Sequence, residues 1–260
     1  MSANPPAAKG PHKAWSGKSE KTAIWRLLAA IVIPLLGILS KITIRGGENV
    51  PKSGAFVVAP NHFTNIDPLT NAVALYRVGR VPRYLAKASL WKVPVLGAAM
   101  RATQQIPVER EGHTRDSDPL AAARAIAKSG MGVIIYPEGS LTRDPGLWPM
   151  RGKFGAVRTA LDADIPLIPS AHWGDQLVLP RYGKLSVFPR KKVTVVYGEP
   201  VDLSEFRGKP IDATVLLSAT NRLMHDITAL LEQLRGETAP LERWDPAVHH
   251  QSETGKLKDA

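Results

Sequence analysis

The sequence predicts an α/β domain: a mostly parallel central sheet flanked by helices, preceded by an N-terminal membrane-associated helical segment. Two observations carry this. From Ile42 onward, short apolar and β-branched runs alternate with segments of helical period, and Pro, Gly and polar clusters separate them. Hydrophobic residues make up 44% of the 260 positions and charged residues 22%, enough for a well-filled core.

The elements follow in order. Residues 1–20 are rich in Pro, Ala, Gly and Lys, carry no apolar period, and read as a disordered basic arm. Residues 21–41 hold an apolar run, Ala23 to Leu39, of 17 positions. A bilayer span needs about 20. Arg26 interrupts the run and Pro34 would kink it. The run predicts a broken helix dipping into one leaflet, with Trp25 and Arg26 at headgroup level, or else a buried core helix. It starts late for a secretory signal and has no clear small-residue cleavage site.

Residues 42–235 form the predicted catalytic domain. Ala55 to Ala59 is a buried strand closed by Pro60, and Pro68 to Tyr76 a helix. Arg83 to Ala86 is a short strand, and the stretch to Arg101 is helical after Pro94. Gln105 to Val108 is a strand, Pro119 to Ala127 a helix capped by Asp118, and Gly132 to Tyr136 the clearest central strand. Phe154 to Asp162 is a helix, and Pro166 to Ser170 and Val193 to Tyr197 are strands. Asp212 to Arg235 repeats apolar residues at helical spacing, from Val215 to Leu234. Residues 236–260 read as a mobile polar tail. No internal repeat is visible.

There is no cysteine, which excludes disulfides, thiolate zinc sites and cysteine nucleophiles. The net charge of +11 points to anionic partners: nucleic acid, anionic lipid or a phosphorylated substrate. Zinc-finger spacing and an aromatic RNA-binding signature are both missing, so lipid and phosphate come first and no nucleic-acid partner is expected.

The chemistry concentrates in Asn61-His62-Phe63-Thr64-Asn65-Ile66-Asp67, directly after a buried strand and before a helix. Loops at the carboxyl ends of strands are where α/β proteins place reactive groups. An imidazole there can take a proton from an alcohol, provided a carboxylate fixes its tautomer. His113 and Asp118 have the same spacing as His62 and Asp67 but sit in a polar stretch with no buried strand beside them. The bland alternative stays open: Asp67-Pro68 also reads as an ordinary helix start, with Asp67 a cap and His62 a turn residue.

Asn61-His62 with Asp67 resembles the NH(x)4D block of the glycerolipid acyltransferases, the family that includes the bacterial 1-acylglycerol-3-phosphate acyltransferases. Other stretches follow in the family's order. Lys87-Ala88-Ser89-Leu90, with Pro94 and Gly97, resembles the segment after the first block. Ile106 to Arg110 resembles the second block, Tyr136-Pro137-Glu138-Gly139-Ser140 the third, and Leu167-Ile168-Pro169 the fourth. The chain departs from the pattern where Leu141 and Thr142 precede Arg143, where Gln104 or Gln105 replaces a common glycine, and where Ser140 replaces threonine.

The resemblance implies that His62 is a general base oriented by Asp67 and acting on the acceptor hydroxyl. Arg110 would bind the acceptor phosphate, with Glu138, Gly139 and Ser140 close by. Lys87 and Arg143 would meet phosphates of the donor or of headgroups. The implied partners are a lysophospholipid acceptor, an acyl thioester donor (acyl-CoA or acyl carrier protein) and an anionic membrane surface. No cofactor and no metal are implied, and the implied location is the cytoplasmic face of the cell membrane.

Overall fold

The computed structural model describes residues 20–108 and 126–252. Helix α1 (Ala23–Leu39) leads into β1 (Ser40–Arg45), followed by β2 (Phe56–Pro60) and α2 (Asp67–Arg77). β3 (Leu85–Lys87), α3 (Pro94–Ala102), β4 (Ile106–Val108) and β5 (Gly132–Ile134) come next. Then follow α4 (Gly155–Ala163), β6 (Leu167–Trp173), the one-turn α5 (Asp175–Val178), β7 (Lys191–Tyr197) and α6 (Ala213–Arg235). The expected helix from Pro119 to Ala127 falls almost wholly outside the described residues.

The main sheet has the order β1-β7-β6-β2-β5. Its β1–β7, β2–β6 and β2–β5 pairs are parallel. The β6–β7 pair is antiparallel, so the sheet is mixed, with the expected parallel pairing in its other three pairs. The cause lies in the connection. Residues 174–190 contain one helical turn and no crossover helix, so the chain returns alongside β6 in the opposite sense. β3 and β4 pair in parallel as a separate ribbon, joined to β5 through a bridge between Tyr84 and Ile134.

Strand periodicity decides the layers. Val57, Ala59, Val133 and Leu167 face α4 and α6, where they pack with Ala156, Val157, Leu223 and Ile227. Phe56, Val58, Ile134, Ile168 and Val195 face the other way, onto Ala74 and Leu75 of α2. Val193 of β7 packs with Val73 of α2 and Leu36 of α1. β2 is therefore covered on both faces, which is why it reads as an unbroken apolar run.

α1 passes through Pro34 as a single helix. Trp25 is buried at 8% exposure, so it packs inward and does not sit at headgroup level as expected. The opposite face leaves Leu27, Ile31, Leu35 and Ile38 each more than half exposed. Among the described residues, no helix is long and apolar enough to cross a membrane. Glu20, just ahead of α1, forms ion pairs with the buried Arg80 and Arg83. At the other end, residues 236–252 fold back on the domain, contrary to the expected mobile tail. The Arg151 N–H donates to the Trp244 carbonyl (2.9 Å), Trp244 stacks on His249, and Trp244 Nε1 donates to Gln251 Oε1 (3.0 Å). Aromatic and amide side chains in that segment give it partners that a reading by polarity alone overlooks.

Candidate active site

Asp67 is the first residue of α2, and its carboxylate turns back into the preceding loop instead of capping the helix. Oδ2 accepts from the Phe63 N–H (2.7 Å) and the Thr64 N–H (2.8 Å) and lies 3.0 Å from His62 Nδ1. Oδ1 accepts from the Thr64 hydroxyl at 2.7 Å. The side chain is fully buried. Burial raises the pKa of the carboxyl, but His172, His62 and the Thr64 amide outweigh it and hold the group below the usual 3.8. An ionised Asp67 can only accept, so His62 Nδ1 carries the proton and the lone pair sits at Nε2. The His62 ring stacks on Tyr136 (4.1 Å between centroids) and keeps 16% side-chain exposure. It is fixed on one side and reachable on the other.

The Phe63, Thr64, Ile66 and Asp67 amides all donate within the turn itself.

Glu138 approaches from the loop after β5. The Gly139 turn that delivers it needs φ of +72°, which glycine adopts without a Cβ penalty. Glu138 is fully buried: Oε1 accepts from the His62 N–H (2.8 Å) and Oε2 from the Met150 N–H (3.0 Å). It thereby clamps the His62 backbone. The Thr142 N–H donates to the His62 carbonyl at 2.7 Å, so this residue is held from both ends. Burial pushes the Glu138 carboxyl up to about 8, against the pull of the Met150 and His62 amides. Arg243, in the returning C-terminal segment, is close enough for its charge to act on Glu138.

The other sequence candidates are placed unevenly. Ser140 lies beside Gly139 in the same turn. Arg143 is only 2% exposed; Nε donates to the Ser252 carbonyl (3.1 Å) and an NH donates to the Tyr182 hydroxyl (3.2 Å). These bonds tie three loops together. Lys87 ends β3. Arg110, His113 and Asp118 lie outside the described residues.

Sequence reasoning missed His172 and Asp175. Both are fully buried, and His172 Nδ1 lies 2.8 Å from Asp175 Oδ2. The β2–β6 register, which pairs Pro60 with Ser170, brings His172 beside Asn61 and His62. The only sequence signal was a His and an Asp three positions apart at the end of a buried strand.

A histidine held by an ionised carboxylate at the carboxyl end of a parallel strand, in a chain without cysteine, defines an α/β protein equipped to take a proton from a bound hydroxyl. The comparisons give the class its name. The family model described as Acyltransferase matches residues 41–173, about half of the chain. The chain belongs to this family and is an acyltransferase.

Among similar proteins is a 1-acyl-sn-glycerol-3-phosphate acyltransferase of Bacillus subtilis, 26% identical over 81% of this chain and 100% of its own length. The chloroplastic 1-acyl-sn-glycerol-3-phosphate acyltransferase BAT2 of Brassica napus is 28% identical over 68% of this chain; the match spans only 52% of that relative. The crystal structure of the 1-acyl-sn-glycerophosphate (LPA) acyltransferase PlsC from Thermotoga maritima superposes with a TM-score of 0.60 at 22% identity. It covers 83% of this chain and 81% of that one, a likeness of fold.

Proposed function

We propose that this protein transfers a fatty acyl group from a thioester, acyl-CoA or acyl carrier protein, to the free hydroxyl of 1-acylglycerol-3-phosphate, giving phosphatidic acid. The observation that carries the reading is the His62 Nδ1–Asp67 Oδ2 contact at 3.0 Å, with the ring open on its other edge. His62 Nε2 removes the acceptor's hydroxyl proton as the oxygen attacks the thioester carbonyl. The tetrahedral adduct then expels the thiolate, and the imidazolium returns the proton to it. Asp67 fixes the tautomer and balances the imidazolium charge, and Glu138 holds the backbone that carries the ring. No covalent enzyme intermediate is needed. The names of the relatives favour lysophosphatidic acid as the acceptor. A purified-enzyme assay across lyso-acceptors and thioester donors tests this. Transfer only to glycerol 3-phosphate, or to a lysophospholipid of another headgroup, would replace the acceptor while keeping the chemistry.

Arg110 keeps its proposed role of binding the acceptor phosphate, because a guanidinium can make a bidentate contact there. Arg110→Ala is expected to raise the acceptor KM about tenfold or more with kcat little changed. An equal rise for an acceptor lacking phosphate would overturn that role.

The exposed stripe of α1 supports attachment to an anionic membrane surface. A second apolar strip runs beside it through Leu185, Val187 and Phe188, the last 87% exposed, flanked by Lys184, Arg190 and Lys192. An Arg190 guanidinium nitrogen comes within 3.9 Å of where a Cβ on Gly37 would stand, so the strip adjoins α1. Basic residues beside exposed apolar ones suit an interface of negative headgroups over acyl chains. Deleting residues 1–40 would be a poor test, since Glu20 and Leu36 are part of the packed domain. Ile31→Glu with Leu35→Glu changes only the surface and should weaken binding to phosphatidylglycerol-containing vesicles about 10–100-fold. Undiminished binding would remove α1 as the contact.

A further inference from the structure

Behind the His62–Asp67 pair lies a second histidine–carboxylate pair to which the reaction above assigns no step. His172 is fully buried near the end of β6. Its Nδ1 is 2.8 Å from Asp175 Oδ2 and its Nε2 is 3.0 Å from the Asn61 carbonyl oxygen. A carbonyl only accepts, and an ionised carboxylate only accepts. With Asp175 ionised, both ring nitrogens carry protons and the ring is an imidazolium. The same Nε2 stands 3.7 Å from Asp67 Oδ2. The order inward from the open face is His62, the Asp67 carboxylate, the His172 imidazolium, the Asp175 carboxylate, and the Thr70 hydroxyl, which donates to Asp175 Oδ1 at 2.6 Å.

The backbone is tied in as well. The His172 N–H donates to Asn61 Oδ1 (2.9 Å), and Asn61 Nδ2 donates to the His172 carbonyl (3.2 Å). Asn61 immediately precedes His62, and the Phe63 ring, which follows it, stacks on His172 at 4.7 Å. Gly174 lets the chain turn sharply from His172 to Asp175: its φ is +112°, and a Cβ there would lie 2.2 Å from the Lys192 carbonyl oxygen.

We propose that His172 is a positioning residue for the His62–Asp67 pair, a buried imidazolium that clasps the backbone carrying His62 and offsets part of the Asp67 charge. This rests on His62 being the base. Without such an offset Asp67 would favour the protonated form of His62 more strongly, and the base would be occupied up to higher pH. The charged groups acting on His172 are Asp67 from α2 and Asp175 from α5; its other neighbours there, Asn61 and Phe63, are neutral. Burial alone would lower the His172 pKa, but the two aspartates overcome it and raise it to about 9, in agreement with the hydrogen-bond geometry.

The test has two arms. In full-length protein with 15N-labelled histidine, the His172 ring should show two protonated nitrogens at pH 7.5; a neutral ring at that pH overturns the proposal. His172→Gln keeps a donor of similar size and removes the charge. It is expected to lower kcat with little change in acceptor KM, and to move the acid-side midpoint of the kcat profile up by about one pH unit. A folded His172→Gln with reduced rate but an unmoved midpoint would make His172 merely structural. Should that variant not fold, Asp175→Asn serves, with His172 losing its proton about one pH unit or more lower; an unchanged titration rejects the proposal. Failure of the reading of His62 as the base shows separately, as unchanged turnover in His62→Ala, and leaves the His172 spectrum as it was.

Discussion

Replacing His62 by alanine is expected to lower acyl transfer by about 10²–10⁴-fold, the range for loss of a positioned general base. The loss should fall on kcat, because the imidazole acts on a proton that moves only in the transition state. The fold should survive. The ring contributes its stack on Tyr136 and one bond to Asp67, whereas the loop is held by the backbone bonds of His62 to Glu138 and Thr142. Vesicle binding by the variant should equal that of the wild type, which separates catalysis from membrane attachment. Turnover within a factor of two of wild type would discard His62 as the base.

Asp67→Asn should cost a comparable factor, about 10²–10⁴ in kcat. Asparagine can still present an oxygen to the Phe63 and Thr64 amides and its NH₂ to the Thr64 hydroxyl, so the loop keeps its shape. What disappears is the charge that stabilises the His62 imidazolium. Asp67→Ala differs. It strands two buried amides at about 1–3 kcal/mol each, so its melting temperature should fall as well as its rate. Measuring kcat and Tm for both variants separates the two roles of this carboxylate. An Asp67→Asn protein with near-normal kcat would confine Asp67 to building the turn.

The sequence left Asp67 open as a helix cap or as a partner of His62. The side chain does not cap α2; the same oxygen builds the preceding turn and meets the imidazole. Glu138 illustrates a different limit. Its position after the best apolar strand was plain, but residues 76 positions apart in the chain bring it under the His62 amide, a pairing that no local spacing encodes. Charged residues are usually exposed, but Arg143 is buried, with bonds to Ser252 and Tyr182 from distant segments.

By itself the sequence determined the α/β class, nearly every strand and helix of the described domain, and the loop that carries His62 and Asp67. All of these follow from short-range causes: apolar period, the punctuation of Pro and Gly, and a motif contained within seven residues. Only the tertiary structure decided that β7 runs antiparallel to β6, that residues 236–252 return over the domain, and that His172 and Asp175 stand behind the loop of His62 and Asp67. Each of these is a contact between segments far apart in the chain. Such contacts are set by how covered sheet faces and buried charges find partners, and a linear pattern of residue types does not carry that information.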